Sequence, residues 1–308
     1  RPAEELSLSL CSTDPSPATE ALTDHLLAHH KVNVVLEDTR TLREFDGKTL
    51  CLKIDAAQPP AAMRFQLAYQ VAVLTLGKTI NDTAELAELR SPVARELLKV
   101  GLANYAAGAV LMPYESFRHT ARDVRHDIDR MSSKFATSFE QTCHRLSTLQ
   151  RDGARGLPVF FCRVDMAGNI TKRHSATRLQ FARFGGACPL WIVHEAVAIP
   201  DRVLVQLAQT PDGASYVSMA KGLVKPSGSF DRNPRRYAIA LGCEIEHAGE
   251  FIYADSLDIT SEKAATKIGV SCRICSRRQC DQRAYPPSDQ EIEVDLYRRG
   301  VVPYELKE

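Results

Sequence analysis

Cys272, Cys275 and Cys280 form a C-x2-C-x4-C run, and Cys243 lies upstream in a segment that reads as a strand. Thiolates at this spacing hold metal. A disulfide among them would leave thiols unpaired. Structural zinc generally uses two close pairs of ligands; here one pair is close, the third cysteine follows at x4 and the fourth is remote. Three clustered thiolates and one remote thiolate suit an iron–sulfur cluster. Arg273, Arg277, Arg278 and Arg283 would offset the negative charge of such a cluster. The spacing favours iron–sulfur, leaves zinc open, and leaves His247 as an alternative to Cys243. Cys11, Cys51, Cys143, Cys162 and Cys188 stand singly among apolar neighbours and read as core thiols.

A second set of residues suits an anion. Lys172, Arg173, His174, Arg178 and Arg183 fall within twelve residues without an acid, near Phe181, Phe184, Trp191 and Gly185-Gly186. Cations pair with phosphate oxygens, glycine lets backbone approach, and aromatic rings stack on a base. Lys225, Arg232, Arg235 and Arg236 make a second basic stretch. A small phosphate-bearing ligand fits this better than nucleic acid. The competing reading is a solvated basic face.

A third set is conspicuous for what it lacks. Arg64-Phe65-Gln66-Leu67-Ala68-Tyr69-Gln70-Val71 resembles the zinc-binding helix of the ImmA/IrrE metallopeptidases, and Ala103-Asn104-Tyr105-Ala106-Ala107 with Leu111-Met112-Pro113 resembles their downstream segment. That chemistry needs two imidazoles one turn apart with a Glu between them. The corresponding residues are Tyr69, Gln70 and Val73, and the further ligand position holds Leu102. The helical part is therefore expected to be a non-catalytic scaffold. His194-Glu195 starts a similar pattern, but Ala198 stands where its second His should be.

These residues must be positioned by the elements around them. Residues 1–17 read as a linker with a short strand-like piece, and residues 18–30 as a helix. Lys31–Glu37 and Thr49–Asp55 read as strands of a hairpin-like unit around Asp46-Gly47. Long helical patterns run from Pro59-Pro60 to Arg151, with a break near Ser132-Ser133. From residue 157 the pattern turns to β, with candidate strands at Leu157–Val164, Gln180–Phe184, Cys188–Val193, Tyr216–Ala220 and Tyr237–Ile245. The fold class is α+β: a helical domain over 1–152, an antiparallel β-rich ligand-binding domain over 153–241 and a cysteine-rich segment over 242–308.

The 308 residues carry a formal net charge of +1, so any pull toward an anion must be local. No apolar run approaches the roughly 18 residues of a membrane span. Nine cysteines, an odd number, point to a reducing, cytoplasmic setting.

Arg163-Val164-Asp165-Met166-Ala167-Gly168-Asn169-Ile170, Phe181-Ala182-Arg183-Phe184-Gly185-Gly186, Cys188-Pro189-Leu190-Trp191, Leu241-Gly242-Cys243 and the terminal cysteine run together resemble the short-chain fatty acyl-CoA-responsive transcriptional regulators of the PrpR/RamB type. The resemblance implies an Xre-type N-terminal helix-turn-helix, which this chain would lack and through which DNA would be bound. It further implies an IrrE-like domain, an acyl-CoA-binding region and a [4Fe-4S] cluster on Cys243, Cys272, Cys275 and Cys280. A non-enzymatic sensor of short-chain acyl-CoA, propionyl-CoA above all, is expected. It would act on propionate or glyoxylate pathway genes as a homodimer or tetramer. Lys172, Arg173 and Arg183 are the candidate CoA-phosphate contacts, and Phe161, Phe184 and Trp191 the candidate acyl-pocket walls.

Overall fold

Prolines open three of the four leading helices, where their fixed φ suits the first turn. These are α1 (Pro2–Leu10), α3 (Pro60–Glu85) and α4 (Pro92–Leu111), with α2 (Thr19–His30) between the first two. The computed structural model describes residues 1–11, 15–181 and 186–307. Two units are distinguished. One comprises Arg1–Arg145 with Pro226–Asn233, the other Leu146–Lys225 with Pro234–Glu308.

In the first unit, α3 and α4 pack through Leu67, Ala68, Val71 and Ala72 against Ala103, Ala106, Ala107 and Val110, all buried. Alanine at these positions lets the helix axes approach closely. Burying Leu67 or Val71 is worth roughly 1.5–3 kcal/mol each. The expected linker at the N-terminus is a helix instead: α1 buries Ala3, Leu6 and Ser7, and the Ser7 hydroxyl donates to the Val110 carbonyl at 2.6 Å. The helices α5 (Tyr114–Asp123), α6 (Ile128–Phe135) and α7 (Phe139–Ser147) complete the helical run. The run breaks twice, between Asp123 and Ile128 and at Ala136, which adopts a left-handed φ of 47°, and not at Ser132-Ser133.

The small sheet of this unit corrects the hairpin expectation. Strands β1 (Asn33–Glu37), β2 (Arg43–Asp46) and β3 (Cys51–Asp55) lie in the order β1-β3-β2. The outer strands differ in sense: β1 runs parallel to β3, and the hairpin across Asp46-Gly47 joins β2 to β3. The sequence hides β2 because an edge strand carrying Arg43, Glu44 and Asp46 has little apolar signal.

The second unit holds β4 (Phe160–Asp165), β5 (Ile170–Ser175), α8 (Val193–Ala198), β6 (Val203–Gln209), β7 (Ser215–Lys225), β8 (Arg235–Glu244) and β9 (Thr266–Lys267). Its sheet has the order β5-β4-β8-β7-β6-β9. All neighbours are antiparallel except β9, which runs parallel to β6. The purely antiparallel expectation is corrected at that edge. A two-residue pair, β10 (Ile292–Glu293) with β11 (Glu305–Leu306), closes the chain.

Side chains alternate across a sheet. One face carries Phe160, Cys162, Val164, Tyr216, Ala220, Ala238 and Ala240, packed with Trp191, Val193, Ala196 and Ile268. Helix α8 reaches this face because position 222 is glycine: a Cβ there would stand 2.0 Å from the Ala196 carbonyl oxygen. Cys188–Val193, expected as a strand, is instead a turn that leads into α8. A strand there would have to compete with the side-chain bonds that hold the turn. Of the strand expected over Gln180–Phe184, residues 180 and 181 are not in a strand and 182–184 lie outside the described residues.

Candidate metal centre and its surroundings

Cys188, Cys272, Cys275 and Cys280 line one cavity, together with Gly269, Ser271, Arg277 and Arg283. The cavity is partly open to solvent. The three cysteines of the run are thus brought together, and the thiol that joins them is Cys188. Cys243 is not among the lining residues. It pairs with Val217 on the sheet face opposite the Phe160–Tyr216 core, to which Cys188 belongs. Burial, with the charges of Glu250 and Glu244 adding to it, pushes the Cys243 thiol up to about 12.

The turn that carries Cys188 is pinned from several sides. Its carbonyl accepts from the Trp191 N–H at 3.0 Å and from His194 Nε2 at 3.1 Å. Trp191 Nε1 donates to Ser218 Oγ at 3.2 Å, and Gln206 Nε2 donates to the Leu190 carbonyl at 2.8 Å. His194 is therefore a brace for the cysteine turn. The cysteine run is fixed from the other side. Parallel pairing of β9 with β6 brings it alongside, and Arg277 donates to the carbonyls of Ile268 at 3.0 Å and Gln209 at 2.7 Å. Cys272–Ile274 forms a 3-10 turn, and Ser288 closes on the Arg273 carbonyl at 2.9 Å.

Gly269 lies against two of the sulfurs. The Gly269 N–H donates to Cys188 Sγ at 3.2 Å. A Cβ at Gly269 would meet Cys275 Sγ at 2.6 Å, so only glycine lets the chain pass this sulfur. The Cys188 thiol is raised first by burial; the Gly269 and Leu190 N–H groups oppose this, and Cys272 and Cys275 add to it.

The cavity has an electrostatic complement. Arg283 is 8% exposed, and one amino group donates to the Arg277 carbonyl. Its other terminal nitrogen, Nη1, is buried with no acceptor among the described residues. A buried guanidinium N–H left unpaired is costly, and a thiolate-held anionic group in this cavity would satisfy it. The thiols stand around a cavity wall, whereas a lone zinc draws four sulfurs to about 2.3 Å of one point. Among the described residues no three Cys, His, Asp or Glu side chains form a set ready to hold one ion. Cys188, Cys272, Cys275 and Cys280 are the residues that would hold an anionic thiolate-bound group in this cavity. Of the four arginines near the run, only Arg277 and Arg283 line the cavity; Arg273 stacks on Tyr285 at 5.0 Å.

Of the residues expected to contact CoA, the four described ones are divided between the two faces of the sheet. Phe161 and Lys172 lie on one face of the sheet, with Lys172 Nζ 5.8 Å from the Phe161 ring centroid. Arg173 pairs in register with Cys162 on the other face, where Trp191 is packed among Phe160 and Phe181 at 6.0 and 6.1 Å. Trp191 is core, and Arg183 and Phe184 lie outside the described residues. Arg178 is committed to Glu244 through its backbone N–H, its Nε and its Nη2 at 3.0, 2.9 and 3.3 Å.

The register shows a different basic group. Lys172, Arg163, Ile239 and Lys221 are successive partners across β5, β4, β8 and β7. Tyr237 and Lys225 follow on the same face. The Tyr237 ring lies 4.6 Å from the Arg163 guanidinium carbon and 5.7 Å from Lys225 Nζ. All five polar residues are half-buried. Sequence reasoning missed Arg163, Lys221 and Tyr237 because they are separated along the chain and meet only through strand pairing. Cys188 was missed for the same reason. Its one local signal is Pro189, since a remote cluster cysteine followed by proline is a recurrent pattern in ferredoxins.

In the first unit, the positions of the peptidase ligands are occupied by other chemistry. The Arg43 guanidinium lies 3.7 Å from the Tyr69 ring centroid and donates to Gln66 Oε1 at 3.0 Å.

Residues 27–147 match the IrrE N-terminal-like domain, and residues 148–304 match the short-chain fatty acyl coenzyme A regulator C-terminal family. The chain is 52% identical over 275 residues to the propionyl-CoA carboxylase regulator of Cereibacter sphaeroides, covering 89% of this chain and 59% of that protein. It is 38% identical over 312 residues to the HTH-type transcriptional regulator RamB of Mycobacterium tuberculosis, covering 99% and 65%. For PrpR of the same organism the identity is 38% over 280 residues, covering 90% and 58%. A solved Mycobacterium tuberculosis transcriptional regulator superposes with a TM-score of 0.92 at 36% identity, covering 99% of this chain and 93% of that one. The chain spans 58–65% of the length of these curated relatives. Among the described residues no helix is long and apolar enough to cross a membrane. These relatives are transcriptional regulators, not enzymes, and the chain belongs to the short-chain fatty acyl coenzyme A regulator family.

Proposed function

We propose that this chain is the effector-binding region of a transcription factor that senses a short-chain acyl-CoA, propionyl-CoA being the first candidate. The observation that carries the reading is the half-buried basic row Lys172–Arg163–Lys221, with Lys225, around Tyr237. Cations fixed on strands suit phosphate oxygens, and a cation-flanked ring suits stacking on a base. Family membership and the printed name of the propionyl-CoA carboxylase regulator support the choice of ligand. A short acyl chain gains only about 0.8 kcal/mol per buried methylene, so the CoA moiety must supply most of the affinity.

The cavity of Cys188, Cys272, Cys275 and Cys280 holds a [4Fe-4S] cluster in this reading. Such a group would tie the turn before α8 to the C-terminal segment, coupling metal binding to folding. Ligand binding would bias a conformational equilibrium through unequal affinity for its two states. In the longer protein that bias would reach a DNA-binding module, as the HTH-type names of RamB and PrpR indicate for those relatives. A homodimeric or tetrameric assembly, acting on propionate or glyoxylate pathway genes, belongs to the same reading.

Isothermal titration with propionyl-CoA, free CoA and propionate tests it. Binding of both CoA species, tighter for the ester, and none of propionate is expected. Equal binding of propionate and propionyl-CoA contradicts phosphate docking.

A further inference from the structure

Helix α4 has two faces. Ala103, Ala106, Ala107 and Val110 are buried. Val93, Leu97, Val100, Gly101, Asn104 and Gly108 make the other stripe, at the spacing of one helix face. Val93 and Leu97 are 69% and 66% exposed, and Val100 is exposed beside them. A single exposed apolar side chain is ordinary, but a contiguous row of them marks an interaction surface.

The glycines are an independent observation. Glycine inside a helix is costly relative to alanine. A Cβ at Gly101 or at Gly108 would meet nothing within 4 Å. Packing within the chain therefore requires neither glycine. On an open helix face, glycine admits a second backbone at close range.

The order of residues identifies that second backbone. Reversed about the point midway between Val100 and Gly101, the stripe complements itself. Val93 then stands over Gly108, Val100 over Gly101 and Leu97 over Asn104, each larger side chain against a smaller one. Such reciprocity is what a two-fold contact demands, since residue i meets j and j meets i. Charge follows the same operation. Glu96 is the one exposed charged residue from 93 to 108. It is placed against Tyr105, whose ring centroid lies 5.5 Å from the Arg145 guanidinium carbon. The bond of Glu96 to Lys99 at 2.9 Å is a local surface pair, weak enough to be shared. A lone polar residue in an apolar seam, here Asn104, fixes register.

We infer that two copies of this chain pair antiparallel through this face of α4. The inference rests on the proposed reading that the chain assembles with itself, and gives that assembly a surface. A single helix pair lies at the low end of interface sizes, below about 1,200 Å², so association should depend on concentration.

Sedimentation equilibrium of the whole chain over a concentration series tests it, with circular dichroism to verify folding of each variant. Wild type should pass from monomer to dimer. L97E, which puts a charge into the seam, should weaken association at least about tenfold. G101A combined with G108A should weaken it about tenfold by crowding the seam, while the monomer melts higher. A purely structural helix would show only the higher melting. L36E, an exposed position on β1 away from this face, should associate as wild type does. A wild-type dimer untouched by L97E and by the double glycine variant overturns the inference and leaves self-assembly standing. A wild type that stays monomeric overturns both, and assigns the face to another segment or partner.

Discussion

Two regions of this chain stand where a metal site is expected, and they have opposite fates. In α3 the family scaffold is retained while the ligands are gone. Tyr69, Gln70 and Val73 replace the ligating pattern, and a guanidinium lies 3.7 Å from the Tyr69 ring centroid. In the second unit no such scaffold is seen, yet four thiols from two distant segments line one cavity beside a buried guanidinium nitrogen with no acceptor among the described residues. A motif's scaffold can outlast its chemistry, because packing by Leu67, Ala68 and Val71 does not depend on the ligands. Conversely, a ligand set need not be contiguous when strand pairing supplies the proximity. The contrast also separates the two roles: the first unit has no ligating side chains at the old positions Tyr69, Gln70 and Val73, and in the proposed reading a cluster would staple the second.

The comparison can be broken most forcefully by removing the metal. Oxidative stripping and chelation should destabilise the second unit alone. By limited proteolysis, residues 262–307 should become the first cleavage site, and a thermal transition should fall at about 2–4 °C per kcal/mol lost. The first unit, whose old ligand positions hold Tyr69, Gln70 and Val73, should keep its transition. Equal destabilisation of both units would contradict the contrast.

Smaller effects sharpen it. Reversing two members of the basic row, K172E with K225E, should weaken propionyl-CoA at least tenfold, since hydrogen bonds to charged groups are worth about 1.5–3 kcal/mol each. Iron content should not change, and titration calorimetry with iron analysis separates the two. In the first unit, R43A removes a stack on Tyr69 and a bond to Gln66, at a cost of about 1–2 kcal/mol by chemical denaturation. No metal effect should accompany it.

The smallest effect concerns pH. Hydrogen bonds from the Arg178 guanidinium hold the Glu244 carboxyl below its ordinary value, against burial. A depressed carboxylate stabilises the fold above its unfolded value of about 4.3, and this is lost as pH falls through the lower folded value. Arg178 is 71% exposed, so solvent screens the pair to a fraction of a kcal/mol. E244Q should flatten that part of the acid limb in a pH series of melts. An unchanged limb would assign acid sensitivity elsewhere.

What the sequence displays depends on distance along the chain. Cys272, Cys275 and Cys280 are legible because a short turn must bring them together, whatever the fold. Cys188 reads as a core thiol, since its partners lie 84 to 92 residues away and only the pairing of β9 with β6 delivers them. Cys243 draws attention through its strand, but its register turns it to the opposite sheet face. Helix α3 and the loss of its ligands are legible from local periodicity and residue type. Strand β2 and helix α1 are not, because the first is a charged edge and the second is a short helix buried by tertiary contacts. Trp191 shows the limit of residue type alone: a ring that suits a ligand pocket serves the core, its nitrogen bonded to Ser218.

The central proposal is that Cys188 is the fourth ligand of an iron–sulfur cluster held with Cys272, Cys275 and Cys280. Iron and acid-labile sulfide in anaerobically purified wild type, C188S and C243S test it most directly. Wild type and C243S should each carry about four irons and four sulfides per chain, and C188S should lose most of both while the first unit still melts normally. Full iron in C188S with loss in C243S, or one zinc and no sulfide in wild type, would contradict the account.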